Sequence, residues 1–347
     1  MAGAGHSTAL LNQRMCCVRS DSKPLSSFLC YALPIPLEAI NDITYSTTVK
    51  HLSSLDLEKV KVALPGPEEV SVIAIFLNKE IQKIDALITE QEKLITLLAE
   101  KRQATISHAV TRGLNPDAPL KDSGLALLGK VPTHWEVKRF RDACLSVSTG
   151  PFGTALGSAD YVSGGVPVIN PSHIVDSHIV PDEEISVSNQ TADRLSCWCL
   201  HTGDIVVARR GELGRAAVVE AKSDGWICGT GSMRVTPRKS QVTSRYLWAV
   251  LQSTYAREWL NQASVGSTMA NLNESILGNL PITLPVEVNE QKQLISDLCK
   301  KLSEIQEIIL SAEQSVALLK ERRNALISAA VTGKIDVRRA VGKGQAA

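Results

Sequence analysis

Little of this chain is aromatic and almost none of its charge is unbalanced: Phe, Trp and Tyr make up 4% of the 347 residues, and the formal net charge is +1. A chain so poor in rings fits an architecture rich in helices. A nonspecific polyanion binder is usually visibly basic, and this chain is not, so charge alone names no partner. No CxxC pair and no His/Cys ligand spacing occurs among the eight cysteines; Cys16 and Cys17 are adjacent, and Cys197 and Cys199 flank one residue. That usage describes reduced thiols in a cytoplasmic protein rather than a disulfide framework or a metal site. No run approaches the roughly 18 apolar residues of a membrane span, and no basic stretch followed by an apolar core opens the chain. Neither a membrane nor a secretory route is expected. What remains is ordinary globular composition, 44% hydrophobic and 21% charged, at a length suited to two domains of about 150 residues each.

Catalytic motifs are imitated and not completed. Gly124 to Lys130 has phosphate-loop spacing, yet Val131 stands where the Mg²⁺-binding Ser/Thr belongs, and no strand precedes it. Asn170-Pro171-Ser172-His173 is similar to the Asn-Pro-Pro-aromatic loop of adenine methyltransferases but lacks the second proline and the aromatic. Pro181-Asp182 with Glu220 and Lys222 has a nuclease-like order over too long a gap, and His173 and His178 have no third metal ligand nearby. Surface or hydrogen-bonding roles suit them better. No active site of the chain's own is expected.

One feature is built twice. Leu77, Ile81, Ile84, Ile88, Ile95 and Leu98 form a seam of period 3.5, which asks for a long helix packed along its length on another. Each position recurs 221 residues later, at Leu298, Leu302, Ile305, Ile309, Val316 and Leu319. From Leu97 to Thr111 against Leu318 to Thr332, ten of fifteen letters are identical, which marks an internal duplication. The first helix opens on Pro65-Gly66-Pro67-Glu68-Glu69, with proline and acids suited to exposed amides and the positive dipole end. Gly113, Pro116 and Pro119 stop it, and at 1.5 Å per residue it reaches roughly 65 Å.

In chain order the sequence predicts a partial globular unit over 1–66, a long helix over 67–113, a linker over 114–134, a complete globular unit over 135–285, a second long helix over 286–333 and a tail over 334–347. In the first unit a strand at Met15 to Val18, a helix at Leu25 to Leu33 and a turn-rich run to Leu64-Pro65 parallel Met233 to Val235, a helix near Ser244 to Ala263 and the run to Leu284-Pro285. Thr47-Thr48 aligns with Ser267-Thr268. The roughly 100 residues from Trp135 onward have no earlier counterpart. That unit reads as mixed α/β, with apolar runs at Val166–Ile169, Asp204–Ala208 and Ala216–Val219 between Gly and Pro turns.

Binding candidates lie on its turns. Arg209, Arg210 and Arg215 flank glycines between two strands; arginine forks read guanine edges or clamp phosphates, and glycine lets backbone come close. Burial would leave three charges unpaired, so their heads are expected to be exposed. Thr149 and Gly150 open a second small-residue loop, and Ser267, Thr268, Asn271 and Asn273 supply short polar groups on a third. From Trp135 to Pro285 there are 13 Lys and Arg against 14 Asp and Glu, and a solvated hairpin tip is the plainer alternative.

Taken together, Asp122-Ser123-Gly124…Leu128-Gly129…Pro132…Trp135, Gly203-Asp204-Ile205…Arg210-Gly211…Gly214, Leu284-Pro285…Glu290-Gln291 and Arg323-Asn324-Ala325…Val331-Thr332-Gly333 resemble the specificity subunit of type I restriction–modification systems. The resemblance implies mixed α/β target-recognition domains joined by two long helices packed as an antiparallel coiled coil, a spacer between two half-sites in double-stranded DNA. It implies no catalysis and no cofactor for this chain; methyltransferase (modification) subunits would use S-adenosylmethionine, and helicase-nuclease (restriction) subunits ATP and Mg²⁺. The family carries two complete recognition domains, and here the first corresponds only to a C-terminal portion, which allows self-association through the truncated unit. A non-enzymatic coiled-coil scaffold whose globular domain binds protein is the alternative reading.

Overall fold

The computed structural model describes residues 17–43, 60–264 and 271–338, with the side chains of 39–43 left aside. Two compact units emerge, one from residues 1–96 with 309–347 and one from 97–308. The division crosses both long helices, so each unit contains part of each, where the sequence had set the helices apart as modules of their own.

The unit containing 1–96 is helical in its described residues. Helix α1 (Lys23–Ala32) starts where the Ser22 side chain accepts from the Leu25 amide, and α2 (Pro34–Ile43) follows it directly. Helix α3 (Pro67–Arg112) has proline in its first turn beside Glu68 and Glu69. Its apolar stripe, Leu77, Ile81, Ile84 and Ile88, is buried with Phe28 and Ala32 of α1 and with Val316 and Ile327 of the last helix. Ile95 and Leu319 are partly buried at the margin of that core, and Ile309 is buried. Arg323 Nε meets Asp85 at 2.7 Å and Lys320 Nζ meets Glu92 at 3.1 Å. Since the partner numbers fall as the α3 numbers rise, the helix segments here run antiparallel. Pairs at or near the surface contribute little stability; the buried stripe holds the unit. No strand occupies Cys17 and Val18, contrary to the strand predicted there, and Met15 and Cys16 lie outside the described residues.

In the unit formed by 97–308, the predicted linker is folded: Leu120–Asp122 pairs antiparallel with Lys130–Pro132, and Leu128 and Val131 are buried. Strands follow at β1 (Trp135–Arg139), β2 (Cys144–Thr149), β3 (Tyr161–Val162), β4 (Val166–Ile169) and β5 (Ser186–Val187). After the short α4 (Asn189–Arg194) come β6 (Ile205–Ala208), β7 (Ala216–Val218), β8 (Ile227–Cys228) and β9 (Ser232–Pro237). One four-stranded sheet runs β7-β6-β9-β2 and another β8-β4-β5-β3. β6 is apolar at every position because both its faces are covered. Ile205 and Val207 enter one core and Val206 and Ala208 another, as a continuous short apolar run requires.

The helix predicted near Ser244 to Ala263 is two helices, α5 (Ser244–Gln252) and α6 (Thr254–Ala263), separated at Ser253. The Ser253 hydroxyl donates to the Val250 carbonyl and accepts from the Ala256 amide, stopping one helix and capping the next. Helix α7 (Glu274–Asn279) precedes β10 (Pro281–Pro285), which pairs antiparallel with β1, and the second long helix, α8 (Val288–Val331), follows. Leu298 and Ile106 belong to this unit's core with Leu302 packed against it; Leu98 and Ile305 are also buried. Gln291 is wholly buried, donating to Pro285 and Gln241 carbonyls and accepting from the Thr243 amide, and Trp135 Nε1 donates to Glu290 at 2.8 Å. Glu290-Gln291 therefore fastens the start of α8 to the globular domain.

The duplication is structural as well as literal. Ser22 caps α1 and Thr243, 221 residues later, caps α5, each accepting from the amide three residues on. Ile327, Ala330 and Val331 sit in the core beneath α1 as Ile106, Ala109 and Val110 sit in the core with α5.

The described cysteines are all free. Burial pushes the Cys144 and Cys228 thiols up to about 12, whereas Cys197 and Cys299 are exposed. Because the thiolate is the nucleophile, iodoacetamide at pH 8 should alkylate Cys197 and Cys299 of the folded chain within minutes and leave Cys144 and Cys228 untouched until denaturant is added. Peptide mass mapping reads this directly, and equal labelling would show an open core. No described helix is long and apolar enough to cross a membrane.

Candidate nucleic-acid interface

Sheet topology gathers residues that lie far apart in sequence. β6 ends where β9 begins, with Ala208 opposite Ser232, and β9 meets the end of β2, with Met233 opposite Thr149. The hairpin tip after β6, the loop after β2 and the turn before β9 thus share one end of a sheet. The Leu272 amide donates to the Arg209 carbonyl at 2.9 Å, bringing Asn271 and Asn273 to the same place. Ser267 and Thr268, and their counterparts Thr47 and Thr48, lie outside the described residues.

The three arginines differ. Arg210 is exposed and has no ion-pair or hydrogen-bond partner among the described residues. Arg209 is not exposed as the sequence predicted: only 7% of it is accessible. Its Nε donates to the Leu272 carbonyl at 3.0 Å and its Nη1 to the Thr230 carbonyl at 3.2 Å. Its guanidinium lies 5.0 Å from the Phe152 ring centroid, a cation–π distance. Burial first, then the neighbouring Arg210 charge, lowers its pKa from the ordinary guanidinium value; it remains a cation, since arginine does not deprotonate in proteins. Backbone carbonyls from two other loops supply the partners that sequence reasoning found missing. Arg215 also departs from the expected exposure: it is half-buried, with Nη2 donating to the Pro171 carbonyl at 2.7 Å.

Other nominated groups are also engaged. Thr149 donates from its amide and its hydroxyl to Glu274 Oε1, at 2.8 and 3.2 Å. Asn273 caps α7, its Oδ1 accepting from the Ile276 amide at 2.8 Å. Asn271 is half-buried with an Oδ1 that has no hydrogen-bond partner among the described residues. Gly150 is present because backbone passes it: an added Cβ would lie 2.0 Å from the Gly229 carbonyl oxygen. Gly150→Ala should therefore separate the two loops and destabilise this unit by about 3 kcal/mol. Urea unfolding and amide exchange over 144–149 and 228–232 measure it, and unchanged protection would mean that the loops are not in contact.

Two functional candidates escaped nomination. Phe152 is 53% exposed although it stacks on Arg209, and Thr230 offers its side chain from a Gly-Thr-Gly turn. An aromatic beside Pro151 and a glycine pair around Thr230 were the available signals. The face thus presents an exposed cation at Arg210, a bonded and ring-covered cation at Arg209 and an accessible aromatic. Arginine forks suit phosphates and guanine edges, and an exposed ring suits a base or sugar.

The imitation motifs have structural duties. The Gly124 amide donates to Asp122 Oδ1 at the ribbon turn, Asp182 accepts from the Glu184 amide, and Glu220 pairs with Lys222. His173 is buried with Nδ1 3.1 Å from the Val168 carbonyl, and exposed His178 has Nδ1 2.8 Å from that of Asp176. No group of three potential metal ligands occurs among the described residues.

Known proteins share both sequence and fold. The type I restriction enzyme EcoBI specificity subunit of Escherichia coli is 24% identical over 334 residues, 94% of this chain and 69% of that protein. The MjaVIII specificity subunit of Methanocaldococcus jannaschii is 21% identical over 315 residues, 90% and 70% of the two chains. A chain solved in work on complex assembly and conformational transition of the type I R-M system superposes with a TM-score of 0.68 at 17% identity, covering 88% of this chain and 70% of that one. The HsdS subunit from Thermoanaerobacter tengcongensis gives 0.51 at 18%, over 90% and 70%. At these identities the solved structures speak to the fold alone. The profile of the type I restriction modification DNA specificity domain matches residues 6–97 and 132–314, most of both helices and nearly all of the domain between them, and the chain belongs to that family.

Proposed function

We propose that this chain is the sequence-specific, DNA-binding specificity subunit of a type I restriction–modification complex. The observation that carries the reading is the duplicated helical scaffold with a mixed α/β domain inserted between its two long helices, one end of whose sheet collects Arg209, Arg210, Phe152 and Thr230. The domain reads one half of a bipartite target in double-stranded DNA, and the helices set the spacing to the other half. The chain itself transfers no methyl group and cuts no strand; it recruits modification subunits that use S-adenosylmethionine and restriction subunits that use ATP and Mg²⁺. Near-neutral charge suits a subunit that selects sequence through a few contacts rather than coating phosphate.

The test is selection of random duplexes by the chain assembled with its modification subunits, repeated at several salt concentrations. Enrichment of a defined sequence, with retention falling as salt rises, is the expected result. Retention without sequence preference would return the chain to a scaffold that binds protein, and methyl transfer by the isolated, contaminant-free subunit would overturn the non-catalytic assignment.

A further inference from the structure

A cavity of about 680 Å³ opens in the unit of 97–308, at the end of the sheet remote from the arginine turn. β6 begins and β7 ends there, with Ile205 opposite Val218, whereas Arg209, Arg210 and Arg215 lie where the other ends of these strands are joined. Val218 and Val219 wall the cavity on the sheet side, Arg245 at the start of α5, and Lys292, Ile295 and Cys299 from α8. A side arm of about 170 Å³ shares Val218, Arg245 and Cys299 and adds Arg102 and Trp248.

The walls are divided by chemistry. Val218, Val219 and Ile295 make one side apolar, and Trp248 is fixed in the arm by donating from Nε1 to the Ala216 carbonyl at 3.1 Å. Arg245, Lys292 and Arg102 supply positive charge, and none of the three has an ion-pair or hydrogen-bond partner among the described residues. The acids in the lining are Glu220, which meets Lys222 at 3.6 Å, and Asp176 in the arm, so cations outnumber carboxylates. The frame is also held in place. Ser244 Oγ donates to the Gly203 carbonyl, and the Thr243 amide donates to buried Gln291 at 3.0 Å, which ties the start of α5 to the sheet and to α8. A preformed concavity of this size, with apolar walls and a few convergent charges, is the usual form of a small-molecule site.

We propose that this cavity binds a small organic anion, whose apolar body lies against Val218, Val219 and Ile295 while one phosphate or carboxylate group meets Arg245 and Lys292. Both halves of that description are needed. An inorganic ion would leave the apolar wall wet, and a neutral apolar molecule would bring no partner to the two cations, whose hydrogen bonds to an anion are the stronger kind. The site lies away from the face assigned to DNA. The assignment does not rest on DNA binding, and its test contains no DNA.

Cys299 is exposed and lies in the lining, so its alkylation by iodoacetamide reports occupancy on the full chain, with exposed Cys197, outside the lining, as the internal control. The probes are adenosine monophosphate and octanoate, a nucleotide phosphate and a fatty carboxylate, with inorganic phosphate beside them. At about 1 mM, one of the two organic anions should slow alkylation of Cys299 about fivefold and leave Cys197 unchanged; which one does so identifies the class of head group. Arg245→Ala and Lys292→Ala should each raise the protecting concentration about tenfold. Both side chains are exposed, so the variants should keep the parent circular dichroism. Calorimetry on Cys299→Ser should give the same midpoint as the parent, which separates binding from reaction at the thiol. Protection by neither organic anion overturns the proposal. Equal protection by inorganic phosphate also overturns it, leaving an adventitious ion only. So does protection that survives both alanine variants, or that extends equally to Cys197.

Discussion

Ile84→Asp should dissolve the core of the unit formed by 1–96 and 309–347 while leaving the other unit folded. Ile84 is 6% exposed and shares that core with Phe28, Leu77, Ile81, Ile88 and Val316. The substitution removes a buried isoleucine, about 2–3 kcal/mol of burial, and puts a carboxylate among the apolar side chains of that core. On the opposing helix segment Arg323 is already paired with Asp85, the residue after Ile84, at 2.7 Å. The total loss should be about 4 kcal/mol or more, a large part of the stability of an ordinary domain. A carboxylate there would have its pKa raised above its unfolded value, so the loss should be smaller near pH 4 than at pH 7 and grow as pH rises through the folded-state pKa. Ile84→Asn separates packing from charge and should show no such pH dependence. Hydrogen exchange localises the effect: amides over 67–96 and 316–331 should lose protection, and those of 205–208 and 232–237 should keep it. Protection unchanged over the helix segments would mean that this stripe is not what holds them.

That seam was legible because its signal is periodic. Leu77, Ile81, Ile84 and Ile88 repeat at coiled-coil spacing, and the offset of 221 residues points to a second helix of the same kind. β4 was legible at Val166–Ile169 because a short apolar run between turns has few other fates. The break at Ser253 was not, since Gln252-Ser253-Thr254 contains neither proline nor glycine and the hydroxyl acts only through carbonyl and amide groups positioned by folding. The ribbon within 114–134 escaped because three-residue strands show no alternation. Arg209 was misread for a tertiary reason: the carbonyls that satisfy it belong to Thr230 and Leu272, 21 and 63 residues away, and no local pattern announces them. The candidate turns were therefore legible one by one, while their gathering at one end of a sheet, and the different engagement of their arginines, needed the fold.

That division gives the second large effect, which separates two adjacent arginines by different measurements. Arg210→Ala should leave the fold unaltered, because its side chain is exposed and holds nothing among the described residues. If Arg210 reads a guanine, the complex with modification subunits should lose about 1–3 kcal/mol of affinity and relax preference at one base pair. If it contacts phosphate, all duplexes should weaken together and the salt slope should fall by about one. Arg209→Ala should act first on stability. It leaves the Leu272 and Thr230 carbonyls without their donors and Phe152 without its cation, at about 1.5–3 kcal/mol for a charged hydrogen-bonding group, and it frees the segment that carries Asn271 and Asn273. Affinity then falls through disorder of the face, with a matching drop in thermal midpoint and lost protection at the Leu272 amide. Arg209→Lys should restore little, since a point charge cannot reach two divergent carbonyls as the planar fork does. Retention of full stability by Arg209→Ala would place its guanidinium outside the loop contacts. Unchanged affinity, specificity and salt slope in Arg210→Ala would make the hairpin tip a solvated turn, and the search for DNA contacts would move to Phe152 and Thr230.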